Sequence, residues 1–265
     1  MAAFDGTKHP RGGPGNPGQF RRVERGEADL TLTADQAAPI ADVLDSAARL
    51  QEIVPDAVMV GGSAAAVHVG HRQSFDHDHV LTDLAERFDA VLEALEREPE
   101  WVTNRVVPGK IILGELGGIE TGIRQLRRSR PLETEVAHLP GGDQVIVPTL
   151  PETLRVKGYL IVKRNQVRDY LDVAAIADAV GPQTAARVLA RIDDYYEDLA
   201  HDEGPVATQL AVQLAEPQPK DRATIGQLPR YKGLARRWHE WSATCTILAA
   251  VADEMVAAHP DAEGR

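Results

Sequence analysis

The chain has 265 residues, room for one large domain or a domain with an appendage. A hydrophobic share of 43% supports a proper core, while a net charge of −11 and a pI near 5.3 exclude broad coating of nucleic acid through phosphate neutralisation. The single cysteine, Cys245, excludes an internal disulfide and a cysteine-based zinc cluster; near Ile247 and Leu248 it reads as a core residue in a reducing compartment. Neither a secretory leader nor an apolar run of about 18 residues is read from the sequence, so the expected setting is soluble, cytoplasmic and without membrane contact.

In chain order, residues 1–29 combine glycine, proline and charge with little to bury and read as a disordered tail. Asp35 is placed as the cap of a helix from Ala37 to about Ile53, with Ile40, Val43, Leu44, Ala47 and Leu50 on one face. Ala57 to Val60 reads as a short buried strand, Gly61-Gly62-Ser63 as a turn, and Ala64 to Ala66 as the start of a helix. A strand from Phe75 to Leu81 follows, then an amphipathic helix from about Leu84 to Arg97 with Pro99 beyond its end. Strand-like runs occupy 101–107, 110–113, 118–126, 133–137 and 144–147, the last two joined by Gly141-Gly142-Asp143. Thr149-Leu150-Pro151-Glu152 has the form of a capping box and opens a helical pattern that continues to about Leu199. Glu216 to Asp221 reads as a linker, and a last helix is placed from about Tyr231 to Ala258. The fold class expected is α+β: a mixed-sheet domain over 30–148, then a helical domain over 149–265.

The chemistry concentrates around residues 61–78. A strand, a glycine turn and a helix N-terminus aim free backbone N–H groups and the positive end of the helix dipole at one spot. Gly61 and Gly62 let the backbone approach an anion there, and Ser63 offers a hydroxyl. Strand residues i and i+2 share a face, so Asp76 and Asp78 converge. Mg²⁺ takes oxygen ligands and is commonly held by one or two carboxylates plus substrate phosphates. A phosphate cradle beside two convergent carboxylates therefore points to Mg²⁺-dependent nucleotidyl transfer. The plainer alternative is a common turn beside an edge strand with a solvated acidic face. His68, His71, His77 and His79 surround the aspartates and suggest a Zn²⁺ or Mn²⁺ site, but His77 and His79 fall on the opposite strand face.

A second constellation lies in the helical half. Lys157 and Arg164 are seven residues apart on one helix face, and Asp169 and Asp172 lie one turn apart in Arg168-Asp169-Tyr170-Leu171-Asp172. A lysine here suits a triphosphate, and the alternative is a surface helix laced by ion pairs. Arginines cluster at Arg124, Arg127, Arg128 and Arg130, and basic residues again at Arg230, Lys232, Arg236 and Arg237 beside Trp238 and Trp241. Such groups grip phosphates and stack bases, although an i, i+3 tryptophan pair also suits a core.

Together the two segments resemble the AbiEii-type nucleotidyltransferase toxins, including the MenT-like branch, of bacterial toxin–antitoxin and phage-defence systems. The resemblance rests on Gly61, Gly62, Ser63, Arg72, Ser74, Asp76, Asp78, Lys157, Arg164, Arg168, Asp169 and Asp172 in that order. It implies a nucleotidyltransferase-like sheet domain, with Asp76, Asp78, Lys157, Asp169 and Asp172 in catalysis. Gly61, Gly62, Ser63, Arg72, Ser74, Lys157 and Arg164 would meet the nucleotide, and Asp76 and Asp78 would bind Mg²⁺ or Mn²⁺. The family has a third acidic residue on a later strand, for which Glu120 is the candidate, with Glu133 and Glu135 as rivals. His77 departs from the pattern, which has an aliphatic residue between the aspartates. The implied reaction moves a nucleotide from an NTP to an RNA acceptor such as a tRNA 3′ end, in a growth-inhibiting toxin with a cognate antitoxin. Transfer to a protein or small-molecule hydroxyl, and a non-catalytic nucleotide-sensing or partner-binding module, are the alternatives.

Overall fold

The computed structural model describes residues 29–37, 40–196, 204–231 and 233–257, and eight strands and ten α-helices form within them. The tail read at 1–29 lies outside the described residues except for Asp29, as do Lys232 and Ala258. The chain divides into two units. One takes the residues up to Ser63 with Ser74–Arg127 and Thr134–Val147; the other takes Ala64–Gln73, Arg128–Glu133 and everything from Pro148 onward.

The first unit is built on a five-stranded sheet. Its order is β2 (Val58–Val60), β3 (Asp76–Leu81), β6 (Ile119–Gln125), β5 (Ile111–Leu116) and β4 (Trp101–Val107). β3 and β6 run parallel, and the other neighbours are antiparallel. Alternation along β3 buries His77, His79 and Leu81 while Asp76 stays exposed and Asp78 half-buried. Period-2 side-chain placement therefore separates an apolar face from a carboxylate face. The apolar face packs with α2 (Ala41–Ile53) and α4 (Leu84–Glu96): Leu50, Leu84, Phe88, Val91 and Leu95 join Leu81, Ile112, Leu116 and Ile123 in one core. A smaller sheet, β1 (Asp29–Thr31), β7 (Thr134–His138) and β8 (Gln144–Pro148), is tied to α2 by Gln51. The Gln51 amide donates to Ile146 O at 3.0 Å and accepts from Ile146 N at 2.7 Å.

The second unit is helical: α5 (Leu150–Arg164), α6 (Val167–Val180), α7 (Pro182–Leu189), α8 (Asp193–Tyr196), α9 (Val206–Ala215) and α10 (Trp241–Ala257). Leu154, Ile161, Tyr170, Ile176, Leu189, Leu210 and Leu248 lie in its core. α5 closes on Asn165 in the left-handed region, a conformation Asn tolerates.

Several boundaries differ from the sequence pattern. A separate short α1 (Ala34–Ala37) precedes α2, and the residue that caps it is Thr33 rather than Asp35. Thr33 and Gln36 form the reciprocal cap, Thr33 N to Gln36 Oε1 at 2.9 Å and Gln36 N to Thr33 Oγ1 at 3.4 Å. At α5 only half of the capping box forms. Thr149 Oγ1 accepts from Glu152 N at 3.3 Å, but the Glu152 carboxylate turns instead to Arg128 and Arg155. The last helix begins at Trp241 because two 3-10 helices, Arg222–Arg230 and Arg236–His239, precede it, with Pro229 and positive-φ Gly233 breaking α geometry. Cys245 is half-buried on α10 rather than in the core.

Candidate active site

β2 runs directly into α3 (Gly61–Val69), so the turn read from Gly-Gly-Ser is itself the helix start. Gly61 has φ +79°, and a Cβ there would sit 3.8 Å from both Cβ and Oδ2 of Asp78. Glycine is thus required by conformation and lies against the carboxylate. Gly62 follows in the first turn, where N–H groups have no intrahelical acceptor. Ser63 is buried and its hydroxyl donates to the Asp76 carbonyl. Its proton is therefore committed to holding β3 against the turn, leaving backbone N–H groups as the anion donors.

Asp76 and Asp78 emerge on the sheet face opposite the core. Ser74, read as a nucleotide contact, donates to Asp76 Oδ1 at 3.0 Å. Arg124 Nε reaches Asp78 Oδ1 at 3.3 Å in a partly exposed ion pair. The parallel register sets Asp76 beside Glu120, Asp78 beside Gly122 and Val80 beside Arg124. Of the three candidates for a third carboxylate, Glu120 is the one on a strand next to β3. Glu135 lies on β7 of the other sheet, and Glu133 belongs to the second unit, where it accepts from Arg155 and Tyr195. Among the described residues, no three His, Cys, Asp or Glu side chains gather into a group that would hold a metal ion. Glu120 is a neighbour of Asp76 and not part of a closed ligand set. Two open carboxylates with hard oxygen donors fit Mg²⁺ or Mn²⁺ in the manner that leaves the remaining positions to water and phosphate.

The histidines take other work. His77 Nε2 bonds Ser46 Oγ at 3.0 Å and its Nδ1 meets Thr121 Oγ1 at 2.9 Å, all on the core side. Burial lowers its pKa to about 4 against a small opposing pull from Asp76, and burial holds His79 well below the ordinary value. His68 Nε2 lies 2.8 Å from Pro148 O, and His71 pairs with Asp172. His77 and His79 belong to the first unit and His68 and His71 to the second, and among the described residues none of them joins a group of three side chains that would hold a metal.

In the second unit, Asp172 is fully buried and receives four donors: Lys157 Nζ at 2.6 Å, Arg72 Nε at 2.8 Å and Nη2 at 3.1 Å, and His71 Nε2 at 2.8 Å. Burial pushes its pKa up, but the Arg72 and Lys157 charges and the His71 bond outweigh that and hold the carboxyl well below the usual range. A carboxylate saturated with donors on both oxygens is an anchor, not a base. Lys157 is 1% exposed and Arg72 7% exposed, so both expected nucleotide contacts are internal partners of Asp172. Arg164 grips Asp169 with two bonds of 2.6 Å, so Asp169 holds Arg164 and not Lys157. Sequence reasoning missed His71 and Arg124 as members of these networks. A basic or imidazole residue within a few positions of an assigned one was the available signal.

The basic clusters divide. Arg128 is buried on Glu152, Arg237 pairs with Asp178, and Trp238 is 4% exposed within the helical core. Trp241 packs edge-on to Tyr170 with centroids 6.0 Å apart. Trp238 is a core residue, and Trp241 is a partly buried one packed against that core.

MenT4, a nucleotidyltransferase toxin from Mycobacterium tuberculosis H37Rv, has a solved structure that matches 86% of this chain and 87% of its own, with a TM-score of 0.55 and 15% identity. The chain has a nucleotidyltransferase fold. No family model matches the sequence. In sequence the chain is 34% identical over 248 residues to the heme uptake protein MmpL11 of Mycobacterium tuberculosis, covering 83% of this chain and 23% of that protein. It is 46% identical over 100 residues to the mycolic acid-containing lipids exporter MmpL11 of Mycolicibacterium smegmatis, covering 38% of this chain and 10% of that protein. The chain spans less than a quarter of the length of these curated relatives. No helix among the described residues is long and apolar enough to cross a membrane.

Proposed function

We propose that the chain is an NTP-dependent nucleotidyltransferase acting on an RNA hydroxyl, a tRNA 3′ end being the expected acceptor, and that it restrains growth as a toxin countered by a cognate antitoxin. The observation that carries this reading is the pair Asp76 and Asp78 on one open sheet face, with Asp78 against the positive-φ glycine at the start of α3. In the reaction the acceptor oxygen attacks the α-phosphorus in line, the bond to the bridging oxygen breaks, and pyrophosphate leaves as the hydroxyl proton is lost. A divalent ion held by Asp76 and Asp78 would supply charge to the attacking and leaving oxygens. The rest falls to the chain. Ser74 and Arg124 fix the two carboxylates, Ser63 locks β3 to the turn, and the first N–H groups of α3 receive phosphate oxygens. For Lys157, Arg72 and Arg164 we propose positioning through Asp172 and Asp169, which order α5 against α6, in place of direct triphosphate contact.

Incubation with labelled NTPs, total RNA and Mg²⁺ tests the reading. RNA becomes labelled with the parent chain, EDTA stops it, and Asp76→Ala and Asp78→Ala each lower the rate about a hundredfold or more, since a lost metal ligand removes several kcal/mol of transition-state stabilisation. Parental labelling by both variants would refute it.

The MmpL11 relatives favour a second reading, in which this fold serves inside a heme-uptake or lipid-export protein and binds or transfers nucleotide there without arresting growth. NTP binding without RNA labelling, and normal growth on expression, would support that reading over the toxin.

A further inference from the structure

The helical unit holds an arginine-lined pocket that the transfer chemistry above does not use. About 220 Å³ in volume and half-open, it is lined by Arg155 of α5, by Thr184, Arg187 and Val188 of α7, and by Arg191 and Tyr195. Among the described residues, three guanidinium groups and no carboxylate form this lining, in a chain of net charge −11. Arg155 is 7% exposed. One of its terminal nitrogens is held by Glu133 at 2.9 Å and by Glu152, while its Nε has no hydrogen-bond partner. The Arg155 guanidinium lies 3.8 Å from the Tyr195 ring centroid, and the Tyr195 hydroxyl donates to Glu133 at 2.7 Å. Those contacts make the floor rigid. Arg187 and Arg191 are exposed and adjustable, Arg187 donating to Thr184 Oγ1 at 3.2 Å and Arg191 pairing with Asp194 at 2.9 Å.

Guanidinium forks match phosphate oxygens in geometry as well as charge. Whole small-molecule ligands occupy pockets of about 300–1,000 Å³ and are largely enclosed. This pocket is smaller and open, so it suits one phosphate group of a molecule that continues outside it. We propose that it binds a backbone phosphate of a polynucleotide and so holds the acceptor strand; the inference rests on the RNA-acceptor reading above. Backbone contacts of this kind fix register and orientation without reading sequence.

Fluorescence anisotropy of a short labelled single-stranded RNA with the full chain, without NTP and across a salt series, tests it. R187A/R191A is expected to weaken binding about tenfold or more and to flatten the salt slope by about 0.7, the share of one phosphate contact on a single strand. R187K/R191K should recover part of that slope. R97A removes an exposed arginine paired with Glu93 and serves as the charge control, with parental affinity. Unchanged affinity and slope in R187A/R191A would overturn the proposal. So would displacement of the RNA by inorganic phosphate at equal phosphate concentration, which marks a small-anion site. If RNA labelling fails while R187A/R191A still weakens RNA binding, the pocket stands and the transfer reading falls. If labelling succeeds and the double variant binds RNA like the parent, the pocket alone falls.

Discussion

Replacing Asp172 with asparagine keeps the side chain's size and removes the negative charge that Lys157, Arg72 and His71 share. Two cations, 1% and 7% exposed, then lose the carboxylate they share, and an amide N–H faces donors where an oxygen had accepted. Breaking a buried ion pair from one side costs about 3–5 kcal/mol, because the partner stays buried and uncompensated. At roughly 2–4 °C per kcal/mol for a chain of this size class, Tm falls by about 6–20 °C. Lys157→Met is the informative contrast. It leaves Asp172 with both Arg72 bonds and the His71 bond, one cation balancing one anion, so only a charge-assisted hydrogen bond is lost, about 1.5–3 kcal/mol. Urea denaturation of the parent, D172N and K157M followed by far-UV circular dichroism measures the ordering. If D172N proves no more destabilising than K157M, the view of Asp172 as the anchor of this cluster fails.

Burial lowers the pKa values of His68 and His71, against opposing hydrogen bonds to Pro148 and Asp172 respectively, with Arg72 and Lys157 adding to the lowering at His71. The unfolded chain therefore takes up protons near pH 6.5 where the fold does not, so stability present above that pH is lost as it falls, by up to about 1.4 kcal/mol per unit for each histidine; denaturation midpoints that stay level from pH 7.5 to 5.5 would contradict this. Gly122→Ala places a Cβ 2.9 Å from Asp78 Oδ1 and 2.7 Å from Leu113 Cδ2. The displaced carboxylate should cut kcat/KM for transfer on the order of a hundredfold, and parental kinetics would show that the position of Asp78 is immaterial. Trp238→Ala should cost about 3–5 kcal/mol in unfolding free energy while leaving RNA affinity in place; loss of affinity at parental stability would restore the stacking role.

The carboxylate pair was legible because its cause is local. Period-2 geometry alone puts Asp76 and Asp78 together and His77 and His79 behind them, and it needs no knowledge of the rest of the fold. The need for Gly61 is local in the same way, through its positive φ. Capping was legible in kind but not in place. Thr149 to Glu152 matches the motif, yet the buried Arg128 and Arg155 outbid the Thr149 amide for the Glu152 carboxylate. Glu120 was preferred over Glu133 and Glu135 as a third carboxylate without any view of strand pairing; that it lies beside Asp76 follows only from the pairing of β3 with β6, across an intervening helix and two strands. Nothing in the sequence near His71 announces Asp172, which lies 101 residues away. The arginine pocket likewise joins residues of α5 and α7 with two that follow, Arg191 and Tyr195. Backbone periodicity determines which side of a strand or helix a residue takes. Which distant charge it meets is decided when apolar burial brings the elements together, since desolvated ions must then find partners.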